Sequence, residues 1–125
     1  MKVNFTKTVK FIPTWNENDK LPESEQCTVL LNTMTFGDLM SALSSIPRGQ
    51  LNADDTKQRE ESALAINKTA VQYLPKYAHL TNLEDGDGVV TVETITSYAQ
   101  YAPLCVEIFM KLLSISSPSE DDAKN

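Results

Sequence analysis

The chain is poor in the residues that most metal sites and disulfide-linked folds require. It has one histidine, His79, and two cysteines, Cys27 and Cys105, which lie far apart in the sequence. Two cysteines are too few for the dense disulfide framework of a small secreted protein. The three residues also lack the spacing of metal ligands. The sequence therefore predicts buried, reduced thiols, a surface or helix-end histidine, and neither a metal site nor a cofactor.

Motifs for common enzyme chemistry are missing as well. The sequence contains no G-x-G-x-x-G, no P-loop, no G-x-S-x-G and no H-E-x-x-H. Asp85 and Asp87 before Gly88 are similar to part of a calcium loop, but Val89 and Val90 stand where oxygen ligands belong, which favours a solvated turn. A cysteine–histidine nucleophile pair stays open, because such partners meet only in space. We expect a protein that is not an enzyme.

Positive charge and long apolar runs are scarce. Eleven basic residues stand against seventeen acidic ones, and they are spread along the chain, which gives a net charge of −6 and disfavours binding to nucleic acid. No stretch reaches the roughly 18 apolar residues of a membrane span. The hydrophobic share of 41% over 125 residues suits one soluble domain without a membrane partner. We expect that domain to cover residues 1–115, followed by a flexible acidic tail over residues 116–125.

Two segments near the start alternate apolar and polar residues. The alternation covers Val3 to Ile12 and returns at the apolar residues 27, 29 and 31, which predicts an antiparallel β-ribbon with one face towards a core. The long connection from Pro13 to Glu25 is typical of a functional or disordered loop. It holds the single tryptophan, Trp15, which either plugs the core of the ribbon or anchors a partner.

Helical patterns follow the ribbon. Thr35 and Asp38 predict a capping box, and Pro47 with Gly49 ends the first helix. Its predicted apolar face is Phe36, Leu39, Met40, Leu43 and Ile46. Asp55 can cap a second helix whose first turns, up to Ser62, are polar, and Pro75 should kink or end it. The predicted apolar face of that helix is Ala63, Ile66, Ala70, Tyr73, Leu74 and Tyr77.

The last part of the chain predicts one more amphipathic helix and one apolar helix. Thr91 or Thr94 can cap the first of these, and Pro103 forces a break or a new helix start. The predicted apolar face of the first is Ile95, Tyr98, Ala99 and Ala102.

From Leu104 to Ile115 only Glu107, Lys111 and Ser114 are polar, and the first two are spaced as an i,i+4 ion pair. This apolar helix is either the core of the chain or completes its burial in an oligomer or on a partner helix. The predicted fold is α+β, an N-terminal antiparallel ribbon followed by three or four helices, and mainly helical.

Two stretches resemble the tail assembly chaperones of long-tailed bacteriophages. One is Trp-Asn-x-Asn-x-x-Leu-Pro-x-x-Glu-Gln, from Trp15 to Gln26, and the other is the serine-rich, acidic ending that follows the apolar helix, from Ile115 to Asn125. The resemblance implies a non-enzymatic protein of the bacterial host cytoplasm. Such a protein binds the tape measure protein, keeps it soluble and helps to recruit tail tube protein.

Other functions remain open at this point. The main alternative is another small phage structural or adaptor protein of the head–tail or tail region, and a small enzyme or regulator is a third. For the chaperone, an apolar helical surface would cover the apolar stripes of the partner, or would support a homo-oligomer. The residues expected to bind the partner are Trp15, Leu104, Ile108, Phe109, Met110, Leu112 and Leu113.

Overall fold

The computed structural model describes residues 8–46, 56–86 and 88–117, without the side chains of residues 56–59. Three strands form an antiparallel sheet in the order β1-β2-β3, with β1 at Thr8–Phe11, β2 at Thr28–Asn32 and β3 at Ala78–Thr81. Helices cover one face of this sheet. The predicted α+β class, a ribbon followed by helices, is confirmed.

The predicted ribbon is formed by β1 and β2. Val9 lies opposite Leu31, and Phe11 lies opposite Val29. Val29 and Leu31 are fully buried, whereas Val9 and Phe11 are half-buried. The alternating pattern therefore predicts the core-facing side correctly, because side chains alternate between the two faces of a strand. Residues 3–7 of the predicted first strand lie outside the described residues.

The sequence did not predict β3. This strand extends the ribbon, with Ala78 opposite Leu31 and Leu80 opposite Val29. Leu80 is buried, and His79 is exposed on the open face of the sheet. A strand of four residues is too short to show a clear period, and it directly follows a helix, so the pattern gave no separate signal.

Helix α1 spans Phe36–Ser44 and begins where the sequence predicts. The Thr35 hydroxyl accepts a hydrogen bond from the Asp38 N–H at 3.2 Å. The other half of the predicted capping box is wrong. The Asp38 carboxylate instead accepts hydrogen bonds from Lys76 Nζ at 2.7 Å and from the Tyr77 hydroxyl at 2.6 Å. Two reasons explain this choice of partners. The Lys76 ammonium is a charged donor, which makes a stronger hydrogen bond, and aspartate is shorter than the glutamate or glutamine that usually completes a capping box.

The apolar face predicted for α1 is only partly buried. Leu39 is buried and Leu43 is half-buried, but Phe36 is 77% exposed and Met40 is 49% exposed. The buried stripe is narrower than expected because Asp38 fixes the start of α1 against Lys76 and Tyr77, which leaves Phe36 and Met40 on the outer side. Pro47 and Gly49 lie outside the described residues.

Helix α2 spans Thr56–Tyr77. Its predicted apolar residues from Ile66 to Tyr77 are buried, but Ala63 is exposed and Ser62 is buried, so the predictions for these two residues are wrong. Pro75 does not end the helix. Pro75 has no N–H to donate to the carbonyl oxygen of Val71, four residues earlier. Both residues are exposed, so this helical hydrogen bond is missing on the side of α2 that faces solvent. The predicted cap Asp55 lies outside the described residues.

A small hairpin and a short helix come next. The hairpin has β4 at Glu84–Asp85 and β5 at Gly88–Val89, in agreement with the predicted turn. Helix α3 spans Val92–Ile95, and the Thr91 hydroxyl caps it by accepting from the Thr94 N–H at 3.4 Å.

The predicted continuation of this helix is wrong, because α3 ends at Ile95 and the backbone at Tyr98 is extended. The helix ends early where Thr96 and Ser97 donate their hydroxyls back to the carbonyl oxygens of Val92 and Glu93, at 2.9 and 2.6 Å. Such bonds compete with regular helix continuation.

Helix α4 spans Ala102–Ser116 and forms the centre of the core. It contacts α2, α3, β1 and β2. Pro103 lies in its first turn, so the proline marks a new helix start. The buried residues of α4 are Leu104, Cys105, Ile108, Phe109, Leu112 and Leu113. Contacts within the chain therefore bury most of the apolar side chains of α4, whereas Met110 is 43% exposed.

The end of α4 is attached to the start of α1. The Ser116 hydroxyl accepts a hydrogen bond from the Met34 N–H at 3.0 Å. The helix therefore includes the first residue of the predicted tail, and residues 118–125 lie outside the described residues.

Candidate partner-binding groove

The connection between β1 and β2, residues 12–27, is an ordered segment that we call the Trp15 loop. It contains two short 3-10 turns, Trp15–Lys20 and Glu23–Glu25. Asn18 is buried in its centre and bridges the two ends of the loop. Its Nδ2 donates to the carbonyl oxygens of Pro13 at 2.8 Å and Cys27 at 3.0 Å, and its Oδ1 accepts from the Cys27 N–H at 2.7 Å.

Other residues of the Trp-Asn-x-Asn stretch also shape this loop. Gln26 Nε2 donates to the carbonyl oxygens of Asp19 at 3.1 Å and Leu21 at 3.0 Å. Asn16 adopts a left-handed backbone conformation with φ 52°, which asparagine tolerates better than most residues. The polar residues of this stretch therefore stabilise the conformation of the loop, which presents Trp15.

Glu107 of α4 anchors the same loop. Its carboxylate accepts from the Thr14 N–H at 2.6 Å, from the Thr14 hydroxyl at 3.1 Å and from the Trp15 N–H at 3.1 Å. The predicted Glu107–Lys111 ion pair is absent from the described residues. Lys111 Nζ instead lies 5.8 Å from the centre of the Phe11 ring. Backbone donors fixed by the loop have replaced the flexible lysine as partners of the carboxylate.

A cleft of about 660 Å³ lies between the Trp15 loop, the β4–β5 hairpin and the start of α4. Trp15 and Tyr101 form an aromatic pair on its wall, with ring centres 5.7 Å apart and planes tilted by 52°. Trp15 is half-buried and packs against the core, whereas Tyr101 is almost fully buried. The half-buried Leu83 adds further apolar surface to the lining, and the almost fully buried Leu104 borders it.

Two smaller clefts continue this one on either side. One, of about 380 Å³, shares Asp85, Gln100 and Tyr101 with it. The other, of about 350 Å³, shares Asn18 and Leu21, among others. We call the three contiguous clefts the groove. Exposed apolar side chains line it at intervals, namely Leu21 at 44%, Val89 at 70% and Tyr98 at 61% exposure.

The charge along the groove has one sign. Its lining includes the carboxylates of Glu25, Glu84 and Asp85 and, among the described residues, no lysine or arginine. The Asp85 carboxylate accepts hydrogen bonds from the Gly86 N–H at 2.7 Å and the Tyr101 hydroxyl at 3.3 Å. The ion pairs seen in the described part of the chain involve none of the three carboxylates. The groove therefore has a negative potential.

The structure brings together two of the residues expected to bind a partner. Trp15 and Leu104 both line the groove, but Leu104 is only 1% exposed, so of these two residues Trp15 is the one that offers surface to a partner. Ile108, Phe109, Leu112 and Leu113 are at most 8% exposed, so contacts within the chain cover them. Met110 is 43% exposed but lies outside the lining of the groove.

Tyr101, Glu84 and Asp85 were missed as site residues. Nothing in the sequence links the Trp15 loop to the β4–β5 hairpin, because the two segments are distant in the chain and meet only through the fold. Tyr101 is also the last residue of the 3-10 turn Ala99–Tyr101, which interrupts the helical period, so the pattern assigned it to no face.

The chemistry of the cysteines favours a structural role for both. Burial raises the pKa of Cys27, and it raises the pKa of Cys105 to about 11. Cys105 donates its thiol hydrogen to the Ile95 carbonyl oxygen at 3.2 Å. His79 is exposed, and within the described residues no hydrogen bond joins it to either cysteine. The thiols are protonated at neutral pH and are poor nucleophiles.

Comparisons with known proteins add no relative. No protein-family profile, no curated protein and no solved structure matches the chain. Within the described residues, no helix has the length and apolar character to cross a membrane, and no group of three or more metal-binding side chains occurs. The inference of function therefore rests on the groove and on the residues that build it.

Proposed function

We propose that the chain is a non-enzymatic tail assembly chaperone that binds the tape measure protein of a long-tailed bacteriophage through the groove. The groove itself is the observation that carries this proposal. It combines an aromatic pair, exposed apolar side chains and an open shape, which are features of sites that hold a segment of another protein. In the host cytoplasm, this contact would cover apolar surface of the tape measure protein before tail tube protein assembles around it.

Two further observations support the proposal. Trp15, Asn16, Asn18 and Leu21 belong to the stretch that resembles tail assembly chaperones, and all four line the groove. The chain also carries a net charge of −6, which would keep a complex with an apolar partner soluble. The docking surface proposed here differs from the apolar helix expected from the sequence, because α4 is used for the chain's own core.

If the proposal is correct, a long tape measure protein is encoded beside this chain, and co-expression of the two proteins tests it. We expect the wild-type chain to raise the soluble fraction of that protein and to co-purify with it. Tyr98→Ser removes an exposed ring from the groove and should weaken the complex about tenfold, which corresponds to about 1.4 kcal/mol of binding free energy. The matched control is Phe36→Ser, because Phe36 is also highly exposed but lies on α1 outside the groove.

The outcomes separate the alternatives. Loss of binding in Phe36→Ser but not in Tyr98→Ser would show that α1 is the docking surface. If the wild-type chain neither binds nor solubilises the tape measure protein, the chaperone function is wrong. In that case, mass spectrometry of finished virions decides whether the chain is instead a structural or adaptor protein of the particle.

A further inference from the structure

We propose that the groove recognises an arginine or lysine side chain within an otherwise apolar segment of its partner. The cationic group would lie in the central cleft, between the ring of Trp15 and the carboxylates of Glu84 and Asp85. This inference rests on the groove being the docking surface named above. It adds the chemistry by which the groove selects one segment of a long partner over others.

The charge of the groove is complementary to that of a cationic group. Three carboxylates line the groove, and within the described part of the chain no cationic side chain lines it or pairs with them. The hydrogen bonds from Gly86 and Tyr101 hold the Asp85 carboxylate in one orientation, so this acceptor is already positioned in the free protein. Carboxylates in a concave site with apolar walls attract cations more strongly than carboxylates on a convex surface.

The aromatic lining of the groove also suits a cationic group. A guanidinium or ammonium group over an aromatic face is stabilised by the ring quadrupole, and tryptophan is the best of the three aromatic residues for this contact. Trp15 is half-buried and lines the central cleft, so its indole is available there while the Trp15 loop holds it in place. Arginine fits this combination particularly well, because its planar group can stack on a ring and donate to carboxylates at once.

Apolar residues lie on both sides of the central cleft. Leu21 extends from it into one neighbouring cleft, whereas Val89 and Tyr98 line the other. All three side chains are substantially exposed. A segment with apolar residues on both sides of one basic residue would therefore satisfy the central carboxylates and cover exposed apolar surface at each end of the groove.

Short labelled peptides from the tape measure protein test this inference on the full-length chain. We would choose a segment with one arginine between apolar residues and compare it with a version in which glutamine replaces that arginine. Fluorescence anisotropy gives the dissociation constants. We expect the arginine peptide to bind about tenfold more tightly, which is the size of one cation–π contact with an ionic contribution. Raising the salt to about 1 M, where the Debye length is about 3 Å, should reduce this preference.

Variants of the chain identify the carboxylates involved. Glu84→Gln keeps the size of an exposed side chain and should reduce the preference for the arginine peptide several-fold. Glu61→Gln is the matched control, because Glu61 is an exposed carboxylate on α2 outside the groove, and it should leave the preference unchanged. Circular dichroism checks that both variants are folded.

Each result bears on a distinct claim. Equal binding of the two peptides, or equal effects of Glu84→Gln and Glu61→Gln, would overturn the cation inference. If Tyr98→Ser still weakens co-purification of the tape measure protein, the groove and the proposed function stand without it. If Tyr98→Ser abolishes self-association of the free chain in sedimentation and neither peptide binds, the occupant is a second copy of the chain and the inference is wrong.

Discussion

Asn18 is the residue on which the shape of the Trp15 loop depends most. It satisfies one buried N–H and two carbonyl oxygens through three hydrogen bonds. A chain without secondary structure needs such partners because its own backbone groups have no strand or helix to pair with. The stretch that resembles phage chaperones thus includes residues whose first role is to form the loop, and the groove follows from that conformation.

Replacement of Asn18 by alanine should therefore destabilise the fold. We expect a loss of about 2–4 kcal/mol in the free energy of unfolding, because buried backbone groups lose their only side-chain partner. Urea denaturation followed by circular dichroism measures this loss. Asn67→Ala is the control, since Asn67 lies within α2 and, among the described residues, its side chain bonds to the Ala63 carbonyl oxygen alone. If Asn67→Ala lowers the free energy of unfolding as much as Asn18→Ala does, the hydrogen bonds of Asn18 across the loop do not stabilise the fold more than an ordinary side-chain hydrogen bond.

At the scale of the elements, the sequence predicted those with a long and regular pattern. The ribbon was recognised because its alternation extends over several residues in both strands. In contrast, β3 and α3 have four residues each, about two periods of a strand and one of a helix, so β3 was not predicted and α3 was predicted with its cap but too long. Phe36 and Met40 were assigned to a buried face for a related reason. The period identifies an apolar side of α1, but the tertiary contact of Asp38 decides how much of that side is covered.

The contrast between Ile108 and Met110 on α4 gives a prediction at this scale. Ile108 is fully buried, whereas Met110 is 43% exposed. Ile108→Glu should unfold the chain because it buries an unpaired carboxylate, and Met110→Glu should leave it folded. Circular dichroism of the two purified variants distinguishes them. Unfolding by both substitutions would show that α4 is enclosed on the Met110 side as well, for example by a second chain.

The contact between α1 and the end of α2 should make stability depend on pH. The hydrogen bond from Lys76, together with that from Tyr77, lowers the pKa of Asp38 below its ordinary value of 3.8. Because the folded pKa is lowered, the stabilisation is present above the unfolded pKa and is lost as the pH falls through the folded pKa. The same contact raises the pKa of Lys76 above 10.5, so the stabilisation is also lost at very high pH.

Asp38→Asn is the test of this dependence. The variant should be less stable than the wild type near neutral pH, and the difference should shrink as the pH falls below about 4. Thermal melts across that range give the comparison. A difference that stays constant down to pH values well below 3.8 would mean that the charge of Asp38 does not contribute.

At the scale of the whole molecule, the groove depends on three parts of the chain that come together around α4. The Trp15 loop is attached to α4 through Glu107, and the β4–β5 hairpin is attached to Tyr101 through Asp85. None of these long-range contacts can be predicted from the local spacing of apolar and polar residues. The sequence therefore predicted Trp15 and Leu104 as separate site residues but could not show that they share a groove with Tyr101. Most of the other residues predicted for the site are part of the core.

If the Trp15 loop is part of this single unit, the loop and the helices should unfold together. Trp15 is the only tryptophan, so its fluorescence reports on the loop, while circular dichroism reports mainly on the helices. We expect coincident transitions in urea, as for a two-state domain of this size. Glu107→Gln weakens the three contacts that attach the loop to α4 and should shift the fluorescence transition to lower urea than the circular dichroism transition. A fluorescence transition that already precedes the other in the wild type would show that the loop opens independently, and the groove would then lack the fixed wall on which its selection of a partner depends.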